Sequence, residues 1–151
     1  MNTVELPSLW RIVILQSGDH VVATARKSSG LKFDGTNDKN FLAVDLDVTS
    51  NDSIENAFAI ALKKFGRIDV VCNNAGYGLS GEFESLSEKQ IRTQMEVNFF
   101  GLIDVTRKAM SVMREQSPKG GVIQQITSIG GQTGVPTFSI YWYDTLSDIF
   151  S

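Results

Sequence analysis

Ile68-Asp69-Val70-Val71-Cys72-Asn73-Asn74-Ala75-Gly76 is the stretch on which the reading of this chain turns. Ile68 to Cys72 is short, mostly apolar and opened by Gly66, the pattern of a strand buried on both faces of a parallel sheet. It stops abruptly in Asn-Asn-Ala-Gly. Ligands of open α/β sheets bind just past the carboxyl ends of strands. A loop of small residues there lets a flat ligand approach the backbone, and two side-chain amides offer it donors and acceptors.

Immediately upstream, Ile54, Ala57, Phe58, Ala61, Leu62 and Phe65 recur at helical spacing. They predict a helix from Ser50 to Phe65, capped by Thr49 or Ser50 and ended by Gly66. Phe41-Leu42-Ala43-Val44 predicts a strand before it, running into Asp45-Leu46-Asp47-Val48-Thr49. Strand, helix and strand in this order make a βαβ unit with parallel pairing and a right-handed crossover. His20 to Ala25 predicts another strand, with the only histidine as a polar strand-end residue. The basic loop Arg26-Lys27-Ser28-Ser29-Gly30 follows it, where a strand's carboxyl end suits an anion as well as solvent. Trp10 to Leu15 fits either a strand or the end of a helix.

Downstream, Ser87-Glu88-Lys89-Gln90 is a capping box that predicts a long helix ending before Pro118. Its apolar stripe runs Ile91, Met95, Leu102, Thr106, Ala109, Met113, and Asn98 falls on the same stripe. A polar amide on a buried face requires a partner. Gly120-Gly121 opens a strand from Val122 to Thr127, which ends in Ser128-Ile129-Gly130-Gly131. Gly76-Tyr77-Gly78-Leu79-Ser80-Gly81 matches G-x-G-x-x-G, but a dinucleotide fingerprint opens its helix within the motif. Here the capping Ser87 lies six residues beyond Gly81, so the match reads as a decoy.

The 151 residues suit one domain, and 42% hydrophobic content excludes a disordered chain. A net charge of −3 gives no reason to expect nucleic acid or an anionic membrane as partner. A single cysteine rules out an intrachain disulfide. Cys72, inside the predicted buried strand, reads as a small core residue in a reducing compartment. No run approaches the ~20 apolar residues of a membrane span. Arg11 interrupts Leu9 to Leu15, with no small-residue cleavage site after it, so a cytoplasmic setting is expected. Asn51-Asp52-Ser53 matches a glycosylation sequon but reads as capping chemistry at a helix start.

Asn73-Asn74-Ala75-Gly76, Val97-Asn98-Phe99-Phe100-Gly101, Gly121-Val122-Ile123, Thr127-Ser128-Ile129-Gly130-Gly131 and Tyr141 follow one another in an order and spacing that resemble the short-chain dehydrogenase/reductase family. The resemblance runs from about Gly18 to Tyr141. It implies that Asp47 and Val48 hold an adenine ring and that Asn74, Ala75 and Gly76 lie under the adenine ribose. Arg26 falls where the family's cation selects the 2′-phosphate of NADP, and Ala25 stands where an acid would favour NAD. Ser128 would polarise a substrate carbonyl, Tyr141 would exchange the proton, and Asn98 would anchor a water relay.

The departures are equally specific. The family tyrosine is followed four residues on by a lysine that binds the nicotinamide ribose and eases proton loss from the tyrosine. This chain has Thr145 there, which carries no charge to do so, beside Asp144. Tyr143 does not have the right separation from Ser128 to substitute. The family's T-G-x-x-x-G-x-G loop has no counterpart before Gly18, and Arg11 to Ser17 resembles the last turns of the family's first helix. In the family's strand order, 3-2-1-4-5-6-7, the first strand lies mid-sheet. Without it the strands at Val21 and Val70 either pair directly or leave an open edge in the middle of the sheet.

The expected architecture is α/β: a truncated Rossmann-like, doubly wound parallel sheet forming a single partial domain over residues 1–151. It would lack the family's first strand with its glycine-rich loop, and the last strands. The expected function is an NADP-dependent oxidoreductase acting on a small-molecule alcohol or carbonyl, with the long helix 88–116 offering a face for a homo-oligomer. The alternative is a catalytically disabled fragment or a non-catalytic partner, because the glycine-rich loop and the active-site lysine are absent. A flavodoxin-like interaction domain fits the α/β pattern but not the Asn98, Ser128, Tyr141 set.

Overall fold

A computed structural model describes residues 15, 17–31, 36–133 and 137–141. Strand β1 (Val21–Ala25) pairs in parallel with β2 (Phe41–Asp45), from Val21 opposite Phe41 to Ala25 opposite Asp45. Helix α1 (Asn51–Phe65) follows, capped by the Ser50 hydroxyl, which accepts from the Ser53 N–H, and ended by Gly66 at φ 80°. That φ lies in the left-handed region that glycine reaches without a Cβ penalty. Strand β3 (Val70–Asn73) pairs in parallel with β4 (Val122–Gln125), from Val70 opposite Val122 to Asn73 opposite Gln125. Between them runs a helical rod: α2 (Glu88–Met95), a π turn (Glu96–Phe100) and α3 (Gly101–Glu115).

β1–β2 and β3–β4 form separate two-stranded sheets among the described residues. Among the described residues β1 and β3 do not pair directly, so the first of the two expected arrangements is not the one found. Helices bind the halves together. α1 packs on β2 and on α3, and α3 packs on β3. Ile54 and Phe58 of α1 meet Val105, Ala109 and Val112 of α3 in the core, with Val71 and Ile123 against them. Among the described residues no helix is long and apolar enough to cross a membrane.

Three readings need correction. The pivotal strand is covered on one face only: Val71 and Ile123 meet the helices, while Val70 and Val122 are each 60% exposed. An apolar run identifies a strand but not how many of its faces are covered. For the same reason Cys72 is exposed, not a core residue. The long helix is not regular. A π turn interrupts it, and its buried positions are Gln94, Asn98, Gly101, Leu102, Val105, Ala109, Val112 and Met113, with the expected Leu102, Ala109 and Met113 among them. Ile91, Met95 and Thr106 are half-buried.

Candidate active site

The capping box forms as the spacing requires: the Ser87 hydroxyl accepts from the Gln90 N–H, and the Gln90 side chain accepts from the Ser87 N–H. This fixes the start of the rod and hence the direction of its inward face. One turn on, Gln94 is fully buried, and Asn98 is 6% exposed inside the π turn. Such single-turn bulges are frequent at functional sites. Asn98 Oδ1 accepts the Tyr77 N–H at 3.0 Å and its Nδ2 donates to the Tyr77 carbonyl at 2.9 Å. Gln94 Oε1 accepts the Leu79 N–H at 2.7 Å. The segment after β3 is therefore held by side chains in the way a neighbouring strand would hold it.

The same device recurs at the rod's far end. Gln116 Oε1 accepts the Ile68 N–H at 3.0 Å, and its Nε2 donates to the carbonyls of Ile68 at 3.0 Å and Gly120 at 2.7 Å. At the exit of β3, Asn73 Nδ2 donates to Thr106 Oγ1 at 2.9 Å and to Gln125 Oε1 at 2.8 Å. Asn73 is thus committed to the sheet and to α3, which corrects the expectation that both loop asparagines face a ligand. Asn74 remains half-buried at the strand end, with Ala75 and Gly76 exposed beside it.

The G-x-G-x-x-G match runs as extended loop, as expected of a decoy, and has a structural use. A Cβ on Gly78 would lie 3.4 Å from Phe138 Cε1 and 3.7 Å from Tyr141 Cγ, ordinary van der Waals distances, so these rings line the space beside this residue. Phe138 and Tyr141 meet edge-on, with centroids 6.2 Å apart. The Gly81 N–H donates to the Thr137 carbonyl at 2.8 Å. Asn98 and Tyr141 therefore meet the same loop. Ser128 caps a short 3₁₀ turn, its Oγ accepting the Gly130 N–H at 3.1 Å.

The other group lies at the carboxyl ends of β1 and β2. Arg26 is exposed just past β1. Asp45 Oδ1 accepts the Ser28 N–H at 2.7 Å, fastening the basic loop, and this hydrogen bonding holds its carboxyl below the usual aspartate range. Asp47 Oδ1 accepts from Thr49 N–H at 3.0 Å and Thr49 Oγ1 at 2.7 Å. These bonds, helped by the charge of Arg26, lower its pKa too. Val48 packs on Gly101, where a Cβ would come within 2.7 Å of Val48 Cγ2. Only a bare α-carbon lets the rod approach this closely, and the contact ties the β2 loop to the π turn. Although Cys72 is exposed, desolvation of its thiol by the atoms packed around it raises its pKa, which disfavours the thiolate.

Gln94, Gln116 and Asp45 are the residues that sequence reasoning missed. Thr145, Tyr143 and Asp144, and the segment from Trp10 to Ile14, lie outside the described residues. A shallow groove between α1 and α3, bordered by the Lys108–Glu55 ion pair, contains none of the candidate residues.

A family profile described as short chain dehydrogenase matches residues 12–142. Over 127 residues the chain is 42% identical to an uncharacterized oxidoreductase of Schizosaccharomyces pombe, covering 84% of this chain and 42% of that protein. Over 133 residues it is 41% identical to oxidoreductase calM of Penicillium decumbens, covering 85% of this chain and 44% of that one. Among solved structures, a short-chain dehydrogenase from Streptomyces avermitilis matches with a TM-score of 0.79 at 32% identity, over 91% of this chain and 51% of its own. ElxO with NADP bound matches with a TM-score of 0.83 at 27% identity, over 93% and 58%. The chain thus spans less than half the length of these curated relatives.

Proposed function

The chain belongs to the short-chain dehydrogenase family, and on that footing we propose that the protein it represents is an NADP-linked oxidoreductase of a small alcohol/carbonyl pair in the cytoplasm. The observation that carries the cofactor choice is Arg26, an exposed cation just past β1, with alanine before it and the charges of Asp45 and Asp47 each engaged by hydrogen bonds. A guanidinium so placed pairs with a 2′-phosphate by charge-assisted, fork-like hydrogen bonds. Asp47 and Val48 would flank the adenine, and Asn74, Ala75 and Gly76 would lie under its ribose.

NADPH, when bound, supplies the hydride. The chain's own residues supply the rest. Ser128 Oγ–H donates to the substrate carbonyl, Tyr141 gives up its phenolic proton to the alkoxide oxygen as it forms, and Asn98 holds the Tyr77 backbone beside which a relay water would sit. General acid catalysis of this kind contributes ~10²–10⁴-fold.

A second reading, favoured by Thr145 in place of the family lysine, is that residues 1–151 alone retain little of this activity. One assay separates the two: NADPH-driven reduction of a panel of small ketones and aldehydes by residues 1–151. Turnover at ~1–10³ per second that Tyr141→Phe abolishes supports full activity. Turnover far below that, not raised by Thr145→Lys alone, supports the second reading. Turnover that Tyr141→Phe leaves intact removes Tyr141 from both.

A further inference from the structure

We infer that Gln94 is a positioning residue for Tyr141, acting through the Tyr77–Leu79 segment. Gln94 is fully buried, where an amide is costly unless its hydrogen bonds are made, and an apolar side chain of its size would fill the space without that demand. The amide is matched to what lies opposite. Four residues along a helix rise about 6 Å, and two residues of extended chain advance about 6.6 Å. Gln94 and Asn98 are four apart, and the backbone groups they bind, at Leu79 and Tyr77, are two apart. Helix and segment therefore run in register, antiparallel, with two buried amides as the rungs.

The residue between the rungs is Gly78, and the Phe138 and Tyr141 rings lie at van der Waals distance from the place its Cβ would occupy. Asn98 alone fixes one end of this bed and leaves Gly78 free to pivot about Tyr77. Gln94 fixes the other end. The Gly81 N–H to Thr137 carbonyl bond then closes the circuit back to the stretch that carries Tyr141. Whether Tyr141 exchanges a proton is the proposed function on which the word positioning rests. The anchor itself is a matter of geometry.

The test compares the unmodified chain with Gln94→Leu and Gln94→Glu by NMR and requires no turnover. In the unmodified chain the Leu79 amide is protected to the same degree as that of Tyr77, and cross-relaxation links the Gly78 α-protons to the Tyr141 ring. Gln94→Leu keeps the volume and loses the acceptor. Its Leu79 amide exchanges about tenfold faster, and the Gly78–Tyr141 cross-peaks disappear while protection in α1 is kept. Gln94→Glu restores an acceptor oxygen, and with it both signals. Cross-peaks at full strength in a folded Gln94→Leu protein overturn the inference. If Gln94→Leu does not fold, the unmodified chain decides: a protected Leu79 amide supports the anchor, and exchange at open-loop rates overturns it. Tyr141→Phe in the reductase assay tests the catalytic reading separately, so failure of one is distinguishable from failure of the other.

Discussion

The two small sheets are built on different principles. β1–β2 is held by apolar burial: Val21, Ala23 and Val44 are all buried, and a side-chain tie beyond them, Asp45 to the Ser28 N–H, is exposed. β3–β4 has no strand residue as deeply buried among those described, and its outer valines are open. It is held at both ends by carboxamides, Gln116 at the entrance and the Asn73–Thr106–Gln125 group at the exit, with Asn98 and Gln94 on the loop beyond. Apolar burial is non-directional and tolerates small shifts. Paired hydrogen bonds fix position along the strand axis. The half that carries Ser128 and leads to Tyr141 is therefore the half whose backbone is placed by directional contacts.

The largest effect belongs to what both halves share. Phe58→Ala empties the core between α1 and α3 and is expected to cost about 3–5 kcal/mol, read by denaturant unfolding. Loss of amide protection in both sheets together would show one cooperative unit. Loss in β1–β2 alone would show that the amide-held half stands by itself.

Next is Gln116→Leu, which strips the Ile68 N–H and two carbonyls of their partners. At about 1 kcal/mol for each hydrogen bond, the expected loss is about 2–3 kcal/mol, with the change in hydrogen exchange concentrated in β3 and β4. A loss spread evenly over both sheets would erase the contrast between them.

The smallest effect is on the β1–β2 side. Asp45 and Asp47 have lowered pKa values when folded, so their stabilisation is complete above the ordinary aspartate value of 3.8 and is lost as the pH falls through the folded values. Acidification from about pH 4 downward should loosen β1–β2, and the entrance of β3 with it, because the Arg67 hydrogen bond lowers the Asp69 pKa as well. The double variant Asp45→Asn, Asp47→Asn should flatten that dependence in an unfolding titration. An unchanged slope would place the acid sensitivity elsewhere.

Much of this was legible in the sequence. Ile54 to Phe65 spelled out α1, Ser50, Gly66 and Ser87–Gln90 gave its caps and the rod's start, and the strands fell within two residues of their expected ends. Asn98 stood out because a polar residue on an apolar stripe is anomalous. Gln94 and Gln116 did not, because glutamine is an ordinary helix former that is mostly exposed. Gln116's backbone partner Ile68 lies 48 positions away. The π turn was hidden because a search for 3.6-residue periodicity assumes that no residue is added. The exposed face of β3 was hidden because Val70-Val71 reads the same whether one face is covered or two.

The claim that joins the halves is that β1–β2 selects a phosphorylated adenosine for the chemistry of β3–β4. Adenosine 2′,5′-bisphosphate and 5′-AMP, titrated separately into the chain and followed at the amides of Arg26, Asp47 and Asn74, test it without any need for turnover. The bisphosphate should bind roughly tenfold tighter or more, the value of one charge-assisted contact, and Arg26→Ala should abolish the difference. Equal affinities, unchanged by Arg26→Ala, would contradict it.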